Sequence, residues 1–173
     1  MSLTNLPKFI LGTLILLFGL MLAPPINTGL IDLTPVIVKV DPKQLKCMTN
    51  NIYFEAGNQG AKGMAAVGRI VVNRISHGFG KTPCSVVHQA TVIDAKKMCQ
   101  FSWVCEGKLA PVRDARYLQA ELIAYEVLAY NRYVDVLPST ALFFHNTTID
   151  PMWPYKKVAK IGNHIFYSKA KRI

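Results

Sequence analysis

Acidic residues are scarce in this chain of 173 residues: ten Asp and Glu stand against twenty Lys and Arg, giving a formal net charge of +10. The partner is therefore expected to be anionic, which a cell-wall polymer, an anionic lipid surface or nucleic acid would satisfy. No nucleic-acid-binding motif is present, and nucleic acid is set aside. Histidine is scarcer still, at four, and His77, His88, His145 and His164 show neither HExxH nor HxxxH spacing. No metal site and no cofactor are expected. There is no CxxC pair, so Cys47, Cys84, Cys99 and Cys105 are read as two disulfides of an oxidising compartment, with all three pairings open. No internal repeat or low-complexity stretch is visible, and the length suits one compact core.

A long apolar run is also lacking. Phe9 to Ala23 gives 15 residues broken by Gly12, Thr13 and Gly19. As a helix it would measure about 22 Å against a hydrocarbon layer of roughly 30 Å, which suits a signal segment better than a stable span. Pro24-Pro25 directly follow Leu22-Ala23 and disfavour cleavage there, so an uncleaved signal anchor is expected over a removed signal peptide. Lys8, the single charge of the first 31 residues, puts that end in the cytoplasm and the rest of the chain outside the membrane. The expected organisation is a signal anchor or signal peptide over 1–31, a linker over 32–40 and a folded domain over 41–173.

Within that domain, Asp41-Pro42-Lys43-Gln44 reads as a helix start, with Asp41 as N-cap, Pro42 at the first helical position and Gln44 completing a capping box. The helix runs to about Ala56, its face formed by Leu45, Met48, Ile52 and Ala56, with Glu55 at the edge of that face and Gly57-Asn58 as the stop. A second helix, about Ala61 to Ile75, turns Met64, Val67, Gly68, Val71, Val72 and Ile75 inward and Arg69 and Asn73 outward. Its small Ala65, Ala66 and Gly68 permit close packing. A third, about Asp114 to Tyr130, is expected to bury Ala115, Leu118, Leu122, Tyr125 and Ala129. Strands are expected at Cys99–Trp103, Ala141–His145 and Asn163–Tyr167, and a surface loop at Asn146–Tyr155.

Three separated segments carry a resemblance. NIYFEAGNQGAKGMAAVGRIVVNRI from Asn51, CQFSW from Cys99 and IGNHIFY from Ile161 together resemble the SleB-type cell-wall hydrolases, a family of spore-cortex and phage lytic enzymes. The likeness runs from Cys47 to Tyr167 with its elements in order. It departs at Asn58-Gln59, where the family usually carries an acidic or glycine-rich sequence. The resemblance implies an α+β, mainly helical, lysozyme-like or lytic-transglycosylase-like domain with a small sheet, following the apolar N-terminal helix. It implies peptidoglycan as the substrate, cut between N-acetylmuramic acid and N-acetylglucosamine, with Glu55 as the catalytic glutamate.

The chemistry agrees with the position of Glu55. Breaking a glycosidic bond near neutral pH needs a protonated carboxyl, and a glutamate bordering an apolar face loses hydration of its charged form, which raises its pKa. Most glycosidases add a second carboxylate. Here only Asp94 and Glu106 fall in the loop-rich middle. The resemblance points instead to a lytic transglycosylase, in which the substrate's C6 hydroxyl closes on the anomeric carbon and one carboxyl serves as acid and base. Candidate substrate contacts are Tyr53, Gln100, Ser102, Trp103, His145, Asn163 and His164. A Trp ring can stack on a sugar and amide or hydroxyl groups can bind its acetamido substituent. Packing alone would also account for Tyr53, Trp103 and the histidines, and Trp153 between prolines reads as a loop anchor. Two other classes compete: a zinc amidase that frees stem peptides, and a membrane-anchored wall-binding module without catalysis.

Overall fold

A computed structural model describes residues 38–108 and 110–171. The expected signal segment lies outside the described residues. Those that are described belong to one compact unit, Val36–Ile173, and none of their helices is long and apolar enough to cross a membrane.

Helix α1, Pro42–Ala56, begins as its sequence demands: the Asp41 carboxylate accepts from the backbone N–H groups of Lys43 at 2.7 Å and Gln44 at 3.2 Å, with Pro42 in the first turn. The capping box is not completed. Gln44 Oε1 instead accepts from the Cys84 N–H at 3.0 Å, because the Cys47–Cys84 disulfide brings the short helix α3, Pro83–Val87, against α1. The second disulfide joins Cys99 to Cys105.

Helix α2, Gly60–Ser76, is the centre of the molecule. One side packs Met64, Val67 and Val71 with Met48 and Ile52 of α1 and with Ala120, Ile123, Ala124 and Val127 of α5, Ala115–Tyr130. Close approach depends on Gly68, where an added Cβ would sit 3.2 Å from Ile52 Cδ1 and 3.5 Å from Val127 Cγ2. The other side packs Ala66 and Ile70 against Leu137, Ala141, Ile161 and Phe166. The expectation that Arg69 and Asn73 face solvent is therefore overturned: both are buried. Asn73 Nδ2 donates to the carbonyls of Pro138 (3.1 Å) and Ala141 (3.0 Å), and Arg69 Nη1 to Asn131 Oδ1 at 2.6 Å.

Helix α5 exists where expected but is rotated. It buries Tyr117, Ala120, Ile123, Ala124 and Val127, whereas Ala115, Leu118 and Leu122 are exposed and Tyr125 and Ala129 only half-buried. Apolar residues surround this helix, and the alanine-bearing face wins because it lets α5 approach α1 and α2 closely.

Two antiparallel sheets complete the fold. Strands β1, Ala90–Ile93, and β2, Lys96–Cys99, form a protruding hairpin; β3, Ala141–Asn146, β4, Tyr155–Ile161, and β5, His164–Lys171, form a sheet in the order β3-β5-β4. Cys99–Trp103 is not a strand. Its chain leaves β2, buries Phe101 and enters the one-turn helix α4, Ser102–Cys105, closed by the Cys99–Cys105 bond. A further helical turn spans Val134–Val136. The α+β, mainly helical expectation holds.

Candidate active site

Glu55 occupies the last turn of α1, half-buried, where α1, α2, α4 and the three-stranded sheet enclose a cleft of about 620 Å³. Burial pushes its carboxyl from the ordinary 4.5 up to about 7; the Lys108 ammonium pulls the value down and the Glu106 carboxylate pushes it up. Lys108 Nζ lies 3.2 Å from Glu106 Oε2 and 5.8 Å from the centre of the Phe54 ring. Glu106 is exposed, and hydrogen bonds from Ser102 and Lys108 hold its own pKa below the usual range. Among the described residues that line the cleft, Glu55 is the only carboxylate. Asp94 sits in the β1–β2 turn with φ of 50° and is exposed, away from that lining.

Four of the seven expected contacts line the cleft: Gln100, Ser102, His145 and His164. His145 is committed to the fold. One ring nitrogen, Nδ1, donates to the Asn146 carbonyl at 2.8 Å, which leaves Nε2 to accept from the Tyr167 hydroxyl at 2.9 Å. His164 is buried, its Nδ1 has no hydrogen-bond partner, and burial followed by the proximity of His145 lowers its pKa.

Tyr53, Trp103 and Asn163 lie outside the lining. Residues two apart on a helix do not share a face, so Tyr53 turns from Glu55 toward Tyr117, with ring centres 5.8 Å apart, and toward the Arg116 guanidinium at 5.6 Å. The Trp103 ring stacks on Phe54 at 4.8 Å and its Nε1 donates to Asn51 Oδ1 at 3.0 Å, a packing role. Asn163 is exposed in the β4–β5 turn, where its N–H donates to Gln59 Oε1 at 2.8 Å. Gln59, one of the two residues that depart from the family pattern, thus joins that turn to the start of α2. The turn residue Gly162 has φ of +54°, and a Cβ there would meet Gln59 Oε1 at 2.4 Å.

The sequence reading missed Arg74, Phe143, Trp153 and Tyr155, which all line the cleft. Arg74 is 1% exposed; its Nε donates to the Leu142 carbonyl at 2.9 Å. Its guanidinium carbon lies 5.2, 5.7 and 5.6 Å from the centres of the Phe79, Phe101 and Phe143 rings. Burial lowers its pKa to about 10, which leaves it charged at neutral pH against the Phe79, Phe101 and Phe143 rings. Phe143 stacks on Tyr155 at 4.6 Å, and Trp153 packs edge-on to His145 at 5.4 Å. The expected loop anchor is therefore also part of the wall. No group of three or more His, Cys, Asp or Glu among the described residues is arranged to hold a metal ion.

A family model described as Cell Wall Hydrolase matches residues 58–167, and the chain belongs to that family. The match begins three residues after Glu55. Two solved structures share the fold. The catalytic domain of the Bacillus cereus SleB protein is 23% identical, with TM-score 0.55 over 78% of this chain and 97% of that one. The catalytic domain of the germination-specific lytic transglycosylase SleB from Bacillus anthracis is 22% identical, with TM-score 0.56 over 77% of this chain and 100% of that one. No curated protein matches. The chain is an enzyme of the cell-wall hydrolase family, and its domain has the fold of the SleB catalytic domains.

Proposed function

We propose that this enzyme is a lytic transglycosylase that cuts the glycan strand of peptidoglycan between N-acetylmuramic acid and N-acetylglucosamine. The observation that carries the reading is a cleft in which Glu55, the one carboxylate among the described lining residues, has its pKa raised to about 7. Protonated Glu55 gives its proton to the glycosidic oxygen as the bond from that oxygen to the anomeric carbon breaks. The C6 hydroxyl of the muramic acid then bonds to the anomeric carbon and loses its proton to the Glu55 carboxylate. The products are a free sugar hydroxyl and a 1,6-anhydro end, no water is consumed, and Glu55 is protonated again. Gln100 and Ser102 offer hydrogen bonds to the acetamido and hydroxyl groups, and the aromatic wall of Phe143, Trp153 and Tyr155 offers apolar surface to the sugar rings. The N-terminal segment holds this domain on the outer side of the cytoplasmic membrane.

Mass analysis of digested peptidoglycan tests the reaction. Anhydro-muropeptides support it. Reducing muramic ends would make the enzyme a hydrolase, free stem peptides an amidase, and an absence of products a binding module.

A further inference from the structure

A second depression, of about 260 Å³, opens beside the cleft on the face of the β1–β2 hairpin. Gln100 lines both. Its backbone N–H donates to the Gln89 carbonyl at 2.8 Å, and the Cys99–Cys105 disulfide ties the end of β2 to α4, so the hairpin is fixed at the edge of the cleft. The volume is below the roughly 300–1,000 Å³ usual for a whole small-molecule site, which suits one unit of a longer ligand that also occupies the cleft.

We propose that this depression is a further saccharide subsite, which takes an N-acetylglucosamine of the strand where it leaves the cleft. The inference rests on the glycan-cleavage reading above.

Charge identifies the ligand. On a molecule of net charge +10 the lining is uncharged throughout, combining Phe79, Ile93 and Met98 with Gln89, Thr91 and Gln100. A stem peptide brings carboxylates and would draw on the surrounding lysines, and the muramic acid that bears it needs room for that branch. N-acetylglucosamine is neutral and unbranched, and it alternates with muramic acid along the strand. The register Thr91↔Met98 and Ile93↔Lys96 sets those four side chains on one face of the hairpin, with Lys96 outside the lining, while Val92 and Lys97 share the other. Ile93 and Met98 are 53% and 52% exposed, apolar surface on which a sugar ring or its acetamido methyl can lie. Gln89 Oε1 is covered and has no hydrogen-bond partner, although the side chain as a whole is half-buried. Turning that amide toward a sugar breaks no existing bond of the oxygen and gains one.

The test uses the full chain and peptide-free glycan oligosaccharides of two lengths, one that just spans the scissile bond and one that continues past it. In Glu55→Gln enzyme labelled at its methionine methyl groups, the longer oligosaccharide is expected to move the Met98 resonance and the shorter to leave it in place. Thr91→Arg, an exposed substitution that crowds the depression, should raise KM for the longer substrate about tenfold, to that of the shorter, with kcat unchanged. A stationary Met98 signal while the longer oligosaccharide binds, or an equal effect of Thr91→Arg on both lengths, would overturn the subsite and leave the reaction assignment intact. Failure of unsubstituted enzyme to cleave either oligosaccharide would overturn both.

Discussion

The Trp103 indole N–H donates to Asn51 Oδ1 at 3.0 Å, one helical turn before Glu55. This bond ties the disulfide-closed loop that carries Gln100 and Ser102 to the helix that carries the carboxyl. Asn51 is fully buried and its Nδ2 is already unpartnered. Trp103→Phe keeps the ring against Phe54 but removes the donor, and should cost about 1–3 kcal/mol of stability with a drop in kcat. Denaturant unfolding and glycan-cleavage rates measure the two effects; unchanged kcat would mean that the loop is positioned without this bond.

Glu55→Gln should lower activity by at least a factor of roughly 100, since the transferable proton is gone. It should also stabilise the fold in alkaline solution. With a folded pKa raised to about 7 from 4.5, the native state holds its proton more tightly than the unfolded chain, so stability falls as pH rises from about 4.5 through 7. Glutamine does not ionise, and the variant should exceed the parent by at most roughly 3 kcal/mol at pH 8 and match it at pH 4. Thermal unfolding at both pH values checks this, and an equal difference at each would show that Glu55 is not strained by ionisation.

The pH dependence of kcat/KM should fall as pH rises through about 7, when Glu55 loses its proton. Lys108 favours the charged form, so Lys108→Met should move this limb to higher pH; Glu106 opposes it, so Glu106→Gln should move the limb lower. At the optimum Glu106→Gln should lose less than about tenfold, or 1.4 kcal/mol in the barrier. A loss as large as that of Glu55→Gln would favour a two-carboxylate hydrolase.

The two disulfides should separate stability from activity. Cys47–Cys84 closes a separation of 37 residues and Cys99–Cys105 one of 6, which in a chain-entropy account correspond to about 4 and about 2 kcal/mol. Serine replacement of the first pair should lower the unfolding midpoint more. Replacement of the second, whose loop holds Gln100 and Ser102, should lower activity more at a temperature where both variants are folded.

The N-terminal segment should remain uncleaved after export, because Pro24 and Pro25 follow Leu22-Ala23. Mass measurement of the exported chain is expected to return the full length, in the membrane fraction, and depolarisation should release part of it. An N-terminus between Ala23 and Asn27 would sink the signal-anchor reading; an intact chain that never leaves the membrane would sink only the release.

The chain order of α1, α2 and α5 was legible because each spans several turns and its apolar period is a local property. So was the start of α1, where Asp41 and Pro42 act within a few residues of themselves. The edge position of Glu55 followed from the same period. Short pieces were not legible in this way. Cys99–Trp103 alternates like a strand, yet a disulfide and the burial of Phe101 bend it into a helical turn. Strand β4 went unseen because its Lys156, Lys157 and Lys160 read as a charged surface, as they are on the exposed edge of the sheet.

What the sequence determined by itself was therefore everything that depends on neighbours in the chain: the helical segments, the cap of α1, the family motifs and a glutamate beside an apolar face. Tertiary structure alone chose one cysteine pairing of three, since the pairing depends on which segments meet. It turned α5 so that Ala120 and Ala124 face α1 and α2 and Leu118 and Leu122 face outward, because contact distance between helices outweighs the apolar count of a face. It buried Asn73 and Arg74 by laying β3 over the polar side of α2, and Arg69 beside Asn131 at the end of α5. And it brought Glu55 into one cleft with Arg74, Phe143 and Trp153, residues separated along the chain whose shared role arises only when the sheet closes against the helices.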